Sequence, residues 1–435
     1  MAVTSTALLT DHYELTMVQA ALAAGSAHRR SVFELFPRRL PDGRRYGVVA
    51  GVQRALDAVE RFRFDDHVLA VLREHAVVDE PTLEWLSSYS FSGDIHGYPE
   101  GEVYLPYSPL MTVESTFAEG VLLETLLLSI LNHDSAIASA ASRMTTAAGS
   151  RPCIEMGSRR THEEAAVAAA RAAYVAGFAT TSNLAARERY GVPTAGTSAH
   201  SFTLLHDSER EAFTAQVSSL GRGTSLLVDT YDVAEAVRMG VEVAGTDLGA
   251  VRIDSGDLGV LAQQVRELLD SLGAFRTRII VTSDLDEFAI AGLAAAPVDG
   301  YGVGTSLVTG SGHPTCGFVY KLVAREGDDG TLVSVAKKSK DKISIGGRKY
   351  ALRRRDARGV AEAEVVGIGE PPVNDGDDRD LLVPLVLGGK VVGREDLATV
   401  RERHQRSRAE LPMAARQLSK GEPVIPTLHV PAQEG

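Results

Sequence analysis

The chain is poor in cysteine, in aromatics and in positive charge. Its only cysteines are Cys153 and Cys316, with no CxxC pair, so a disulfide framework or a cysteine-built zinc site is not expected, and a reducing cytoplasm is. Aromatic residues make up 6% of the chain, with one tryptophan. Lys and Arg number 45 against 57 Asp and Glu, a formal charge of −12. That balance argues against a general nucleic-acid or membrane-surface binder, while leaving room for a local basic site that holds an anion. The most apolar run, VLLETLLLSIL (121–131), is short and carries Glu124, so it reads as a buried helix and no membrane span is expected. Asp11, His12 and Glu14 interrupt any apolar start, so no secretory signal is expected either. Walker A, GxGxxG, GxSxG, HxxxH and HExxH patterns are all absent.

What is present is 44% hydrophobic residues and 41 glycines, over a length that calls for two or three packed regions of an α/β enzyme. Three regions follow: an N-terminal α+β domain (1–133), a barrel domain (134–320) and a C-terminal region with a basic loop (321–435). The first has helical stretches at 11–24 and 50–62, a strand-like SVFELFP (31–37), β-hairpin signals over 91–114 and an apolar helix at 119–131. In the middle, PTAGT, TSLLVDT, GAVRID, RIIVTSD and DGYGVGT alternate with helical stretches at 162–176, 231–243, 257–272 and 285–294. That spacing implies parallel βαβ units and a barrel or partial barrel. The basic stretch 337–358 reads equally as a solvated hairpin loop and as a loop reaching anionic phosphates; a tail from about 394 reads as an exposed helix.

Each apolar strand ends in a polar, turn-forming cluster, and in α/β barrels such ends line one active face. In RIDSGD (252–257), Asp257 suits a helix cap, whereas Arg252 and Asp254 suit a phosphorylated, hydroxyl-bearing ligand. Arginine grips an anion bidentately, Asp254 accepts sugar hydroxyls or holds Mg²⁺, and Ser255-Gly256 makes the turn. DTYD (229–232) and TSDLD (282–286) read best as caps. In GYGVGTS (300–306), Gly302 and Gly304 free backbone N–H groups for a phosphate and Thr305 adds a hydroxyl. MGSRR (156–160) adds Arg159 and Arg160. His200, in GTSAHSF (196–202), lacks metal-ligand spacing and any nucleophile elbow, yet an imidazole can itself accept a phosphoryl group.

TDHYELTM (10–17), FELFPRRLP (33–41), EMGSRR (155–160), GTSAHSF, VDTYD (228–232), RIDSGDL (252–258) and YGVGTSLVT (301–309) stand in an order that resembles the nicotinate phosphoribosyltransferase family. The resemblance implies a type II phosphoribosyltransferase fold, an incomplete α/β barrel with an N-terminal α+β domain and a C-terminal extension. It implies a head-to-tail homodimer with shared active sites. It also implies that nicotinate and phosphoribosyl pyrophosphate (PRPP) give nicotinate mononucleotide and pyrophosphate, with Mg²⁺ and ATP hydrolysis, in NAD salvage. By the same resemblance Tyr13 covers the pyridine ring, Thr197 and Arg252 contact nicotinate, and Arg159, Asp254 and Thr305 bind PRPP. His200 matches the histidine that ATP phosphorylates. Met156 stands where relatives usually have phenylalanine, which gives the ring pocket a thioether wall.

Nicotinamide phosphoribosyltransferase is the nearest alternative; the GTSAHS and EMGSRR forms favour nicotinate. Quinolinate phosphoribosyltransferase needs no ATP and fits the histidine less well. A phosphate-binding aldolase or isomerase barrel needs a Schiff-base lysine or a carboxylate base, and no lysine lies between 136 and 320. A non-catalytic binding protein leaves so many charged strand ends unused.

Overall fold

The computed structural model describes residues 4–337 and 344–431. Residues 1–136 and 315–435 form one unit, and residues 137–314 form a second. The stretches expected as an N-terminal domain and a C-terminal region therefore share one unit. Its main sheet runs Leu332–Ser334, Phe318–Glu326, Arg30–Pro37, Met111–Thr116, Asp94–Gly97, Val383–Leu387, Lys390–Val391, with every neighbour antiparallel. Phe33 stacks on Tyr320 at 5.0 Å across the strand pair that joins the two ends of the chain. Helices Val52–Glu60, Asp66–Glu74 and Glu80–Ser87 supply Leu56, Leu72 and Leu86 to the same core. Two of them start on aspartate caps, Asp65 accepting from the Val68 amide and Asp79 from the Thr82 amide.

Three expectations for this unit change. Within 91–114 the strands do not pair as successive hairpins: Asp94–Gly97 pairs with Met111–Thr116, and Val103–Tyr104 pairs with Gly47–Val48. The apolar helix begins as Phe117–Val121 and resumes as Glu124–Ala148, well past 131. By length and composition that stretch could cross a membrane, but most of its apolar window is buried inside the protein, as in a core helix. The tail helix Leu397–Glu410 is not simply exposed, because Val400, His404 and Ser407 are buried.

The basic stretch also resolves differently. Lys349–Arg355 is a strand in a second sheet, ordered Arg379–Asp380, Lys349–Arg355, Ala361–Ile368, Thr427–Pro431. Lys349 lies 2.6 Å from Glu34 and Arg353 lies 3.0 Å from Glu364, all four side chains buried. Arg348 pairs with Glu114 at 2.8 Å. Residues 348–355 thus spend most of their charge on internal partners and are not a loop reaching for phosphate; residues 338–343 of the expected loop lie outside the described residues.

The second unit holds six parallel strands in the order Thr180–Thr181, Cys153–Glu155, Gly300–Val303, Arg278–Val281, Ala250–Ile253, Ser225–Leu227. They are short and mostly buried, as parallel strands covered by helices must be. The row does not close: Thr180–Thr181 and Ser225–Leu227 are its two ends, so the sheet is an incomplete α/β barrel. PTAGT, expected as a strand, contributes only a single bridge, Thr194 to Thr181, because Pro193 has no amide to donate. Helices Glu163–Val175, Val233–Ala244, Leu258–Ser271 and Glu287–Gly292 follow the strands as expected, the last three capped by Asp232, Asp257 and Asp286.

Candidate functional site

The parallel register brings the polar strand ends of the second unit together. Arg252 sits in the strand Ala250–Ile253, and its Nη1 donates to the Thr197 hydroxyl at 3.1 Å. Its Nε is buried and finds no hydrogen-bond partner among the described residues. Burial pulls the Arg252 pKa down most, with Asp254 and Asp229 pulling it up and Arg159 down again. The net shift is downward, but an arginine remains cationic in a protein regardless, and Nε is left over as a donor for an anion. Asp254 accepts from the Thr282 hydroxyl. Gly256 takes φ +82°, a left-handed turn that favours glycine, before Asp257 caps the next helix.

Asp229 has a role other than the helix cap its pattern suggests. Asp232 does cap its helix, but Asp229 does not. Its Oδ2 accepts from the Asp254 amide at 2.9 Å and from the Ser255 hydroxyl at 2.7 Å, which holds the RIDSGD turn. Its Oδ1 is buried without a hydrogen-bond partner among the described residues. His200, the first residue of the helix His200–Leu204, lies over this carboxylate. A 3.1 Å hydrogen bond joins its Nδ1 and the Thr230 hydroxyl. Its Nε2 lies 3.9 Å from Asp229 Oδ1 and 3.9 Å from Asp254 Oδ2, and the side chain is 41% exposed. One ring nitrogen is thus tethered while the other faces two carboxylate oxygens and remains reachable.

Beside this group lies a cavity of about 210 Å³. Met156, Arg159, Arg160, Asp254, Thr282, Gly302, Gly304 and Thr305 line it, together with two residues of the TSDLD cluster. Neither guanidinium of the MGSRR turn has a hydrogen bond or ion pair among the described residues. Gly302 is required where it stands, because a Cβ there would lie 2.8 Å from Met156 Sδ and 2.5 Å from Thr282 Cγ2. The TSDLD cluster is more than a cap as well. Asp286 accepts from the amides of Phe288 and Ala289, while Ser283 and Asp284 line the cavity with φ of 105° and 29°, a strained backbone for side-chain-bearing residues.

His200, Thr197, Arg252 and Asp254 thus form one group, and Met156, Arg159, Gly302, Gly304 and Thr305 form the adjoining cavity; Gly256 makes the turn beyond Asp254 and does not line that cavity. Arg160, expected beside Arg159, lines the cavity too, and Asp229, Thr230, Thr282, Ser283 and Asp284, which the sequence offers at most as caps, complete the set. Tyr13 belongs to the first unit, on the helix His12–Ala23, and is 46% exposed. Burial, then Glu124 and Glu14, push its hydroxyl pKa up to about 12, so it stays a neutral phenol at physiological pH.

Comparison with known proteins bears on this site. Residues 8–132 match the family described as nicotinate phosphoribosyltransferase (NAPRTase) N-terminal domain. The chain is 58% identical over 434 residues to nicotinate phosphoribosyltransferase pncB1 of Mycobacterium tuberculosis, covering 98% of this chain and 95% of that protein. It is 36% identical over 383 residues to the nicotinate phosphoribosyltransferase of Bacillus subtilis, covering 85% and 78%. Among solved structures, human nicotinic acid phosphoribosyltransferase superposes with a TM-score of 0.83 at 26% identity, over 98% of each chain.

Proposed function

The chain belongs to the nicotinate phosphoribosyltransferase family, and from that premise we propose that it joins nicotinate to PRPP, giving nicotinate mononucleotide and pyrophosphate, with ATP hydrolysed through phosphorylation of His200. The observation that carries this reading is the meeting of His200, Arg252 with Thr197, and Asp254 beside an arginine- and glycine-lined cavity.

Nicotinate brings its own nucleophile, the ring nitrogen, so the protein's task at the ribose C1 is positional and electrostatic. Arg252 takes the nicotinate carboxylate, and Thr197, hydrogen-bonded to the same guanidinium, sets its angle. Met156 walls the ring, and Tyr13 of the partner subunit in a homodimer covers its other face. Asp254, held by Thr282, accepts ribose hydroxyls, while Arg159, Gly302, Gly304 and Thr305 take the phosphates as positive charge develops on the sugar. His200 attacks the γ-phosphorus of ATP through Nε2 with ADP leaving, and water later hydrolyses the phosphohistidine; Thr230 on Nδ1 fixes the tautomer.

Asp254 and Asp229 would hold Mg²⁺: Asp229 Oδ1 is buried without a partner among the described residues, and both carboxylates lie 3.9 Å from the same nitrogen. No group of three or more ligand side chains exists among the described residues, so phosphates and water would complete the shell. When bound, the ion offsets the charge of the phosphate groups. The setting is the cytoplasm, where ATP and PRPP are available. Schiff-base chemistry has no support, since residues 137–314 contain no lysine.

The test offers nicotinate, nicotinamide and quinolinate in turn with PRPP, ATP and Mg²⁺. Mononucleotide from nicotinate, with ATP consumed, is expected; product from nicotinamide alone would transfer the assignment to the nicotinamide enzyme.

A further inference from the structure

Glu155 ends the barrel strand Cys153–Glu155 and is completely buried, yet no cation pairs with it among the described residues. Burial pushes its carboxyl pKa up, only partly offset by its two hydrogen-bond donors. One donor lies in the turn that follows the strand, and the other is Glu155's register partner on the neighbouring parallel strand. One carboxylate oxygen accepts from the Gly157 amide and the other from the Thr181 hydroxyl. A carboxylate stripped of water and of counter-charge is costly to keep, so a mere filler of that space would be better apolar.

The two donors lead to both halves of the site. Gly157 is the pivot of the arginine turn: its carbonyl accepts from the Arg160 amide at 2.8 Å, and a Cβ on it would lie 2.1 Å from Val308. Thr181 holds the other segment through its backbone. Its amide donates to the Pro193 carbonyl and its carbonyl accepts from the Ala195 amide, both at 2.9 Å, two residues before Thr197 and five before His200. The Thr181 hydroxyl also accepts from the Asn183 amide at 2.9 Å, and Asn183 Nδ2 donates back to Ser158 in the arginine turn at 3.0 Å. The circuit Glu155–Gly157–Ser158–Asn183–Thr181 is therefore closed, and it contains no residue placed in contact with substrate.

We propose, resting on the reaction read above, that Glu155 and Thr181 are positioning residues that fix the spacing between the phosphate-binding arginine turn (156–160) and the segment 193–200 that carries Thr197 and His200. Strand pairing already sets Glu155 beside Thr181, and a single bridge sets Thr181 beside Thr194; the carboxyl adds the link from this open edge of the barrel to the arginine turn. Both loops are thereby set before any ligand arrives, which lowers the ordering cost of binding.

The test uses Glu155→Ala, Thr181→Val and Thr181→Ser in the full chain. Without ligand, amide hydrogen exchange should speed up by about tenfold in both 156–160 and 193–199 in the first two variants, the remaining barrel amides being unchanged. The KM for PRPP should rise by about tenfold in both, and Thr181→Ser, which keeps the hydroxyl, should return to within about twofold of the parent. Thr181→Val carries the test if Glu155→Ala does not fold. Exchange altered in one loop only, or a lowered melting midpoint with unchanged KM and exchange, would overturn the proposal. A parent protein that makes no mononucleotide from nicotinate overturns the reaction instead, and leaves the exchange measurement to decide the positioning.

Discussion

Charge gathers in two places in this molecule, and it is used oppositely. Around Arg353 the charges are matched. Arg353 pairs with Glu364, Arg379 takes both oxygens of Glu102 and reaches Glu410, and the Ser407 hydroxyl donates to Glu102. The guanidinium of Arg353 and the carboxylates of Glu102 and Glu364 are fully buried. Around Arg252 the charges are left unfinished: single unbonded atoms occur in both places, Arg353 Nε and Nη1 as well as Arg252 Nε and Asp229 Oδ1, but here Arg252, Arg159 and Arg160 have no ion pair among the described residues, and the last two line an open cavity. The first arrangement ties separate segments of the chain together. The second keeps donors and acceptors in reserve for a charged ligand, a state that costs stability unless something binds.

That contrast can be broken from either side. The largest effect is expected from Arg353→Ala, which strands Glu364 in the interior: unfolding free energy should fall by about 3–5 kcal/mol. Urea unfolding measures it, and the folded fraction should keep its KM for PRPP. Arg252→Ala should do the reverse, lowering kcat/KM for nicotinate by about 100-fold, about 2.7 kcal/mol, with little change in melting midpoint. A melting loss as large as that of Arg353→Ala would erase the distinction. Gly302→Ala comes next. Its Cβ would press on Met156 and Thr282, so the KM for PRPP should rise by about tenfold with an overpacking cost of about 1–3 kcal/mol.

The smallest effect concerns pH in the matched class. Burial pushes Asp134 up, but Arg54 and His133 outweigh it and hold the folded carboxyl below the ordinary aspartate value. A depressed folded pKa contributes stability that is present above the unfolded pKa, about 3.9, and is lost as pH falls through the folded value. Arg54→Met removes the larger of the two counter-charges and with it this acid-sensitive contribution, so stability should fall at pH 7 and the gap to the parent should close as pH drops below about 3.9, giving a shallower acid limb. An unchanged acid limb in urea midpoints taken from about pH 3 to 7 would show that the pair does not hold the carboxylate down.

Much of the second unit was legible in the chain, because its signals are local. Strand Ala250–Ile253 and helix Leu258–Ser271 lie where GAVRID and the following stretch place them, and Asp257 caps as its position suggests. Other elements carry equally local signals. Ser208 with Glu211 heads the unexpected helix Glu209–Leu220, and Asn183 with Gly191 brackets Leu184–Tyr190. Asp229 could not be separated from Asp232 by pattern, since both follow a strand and precede a helix; only burial and the Ser255 contact tell them apart. The basic run at 348–355 failed as a loop because the carboxylates that neutralise it, Glu34, Glu114 and Glu364, lie far away or on the neighbouring strand.

The sequence by itself determined the alternation of strand and helix in residues 137–314, the polar turn at each strand end, the family resemblance and the candidate histidine. All of these rest on periodicity, capping and short motifs, which act over a few residues. Only the tertiary structure decided that the barrel stays open beside Thr181, that Thr197 meets Arg252 across 55 residues, and that His200 stands over Asp229. The physical reason is that parallel pairing sets the strand ends side by side. Burial then decides which charged groups find partners and which are left for a ligand.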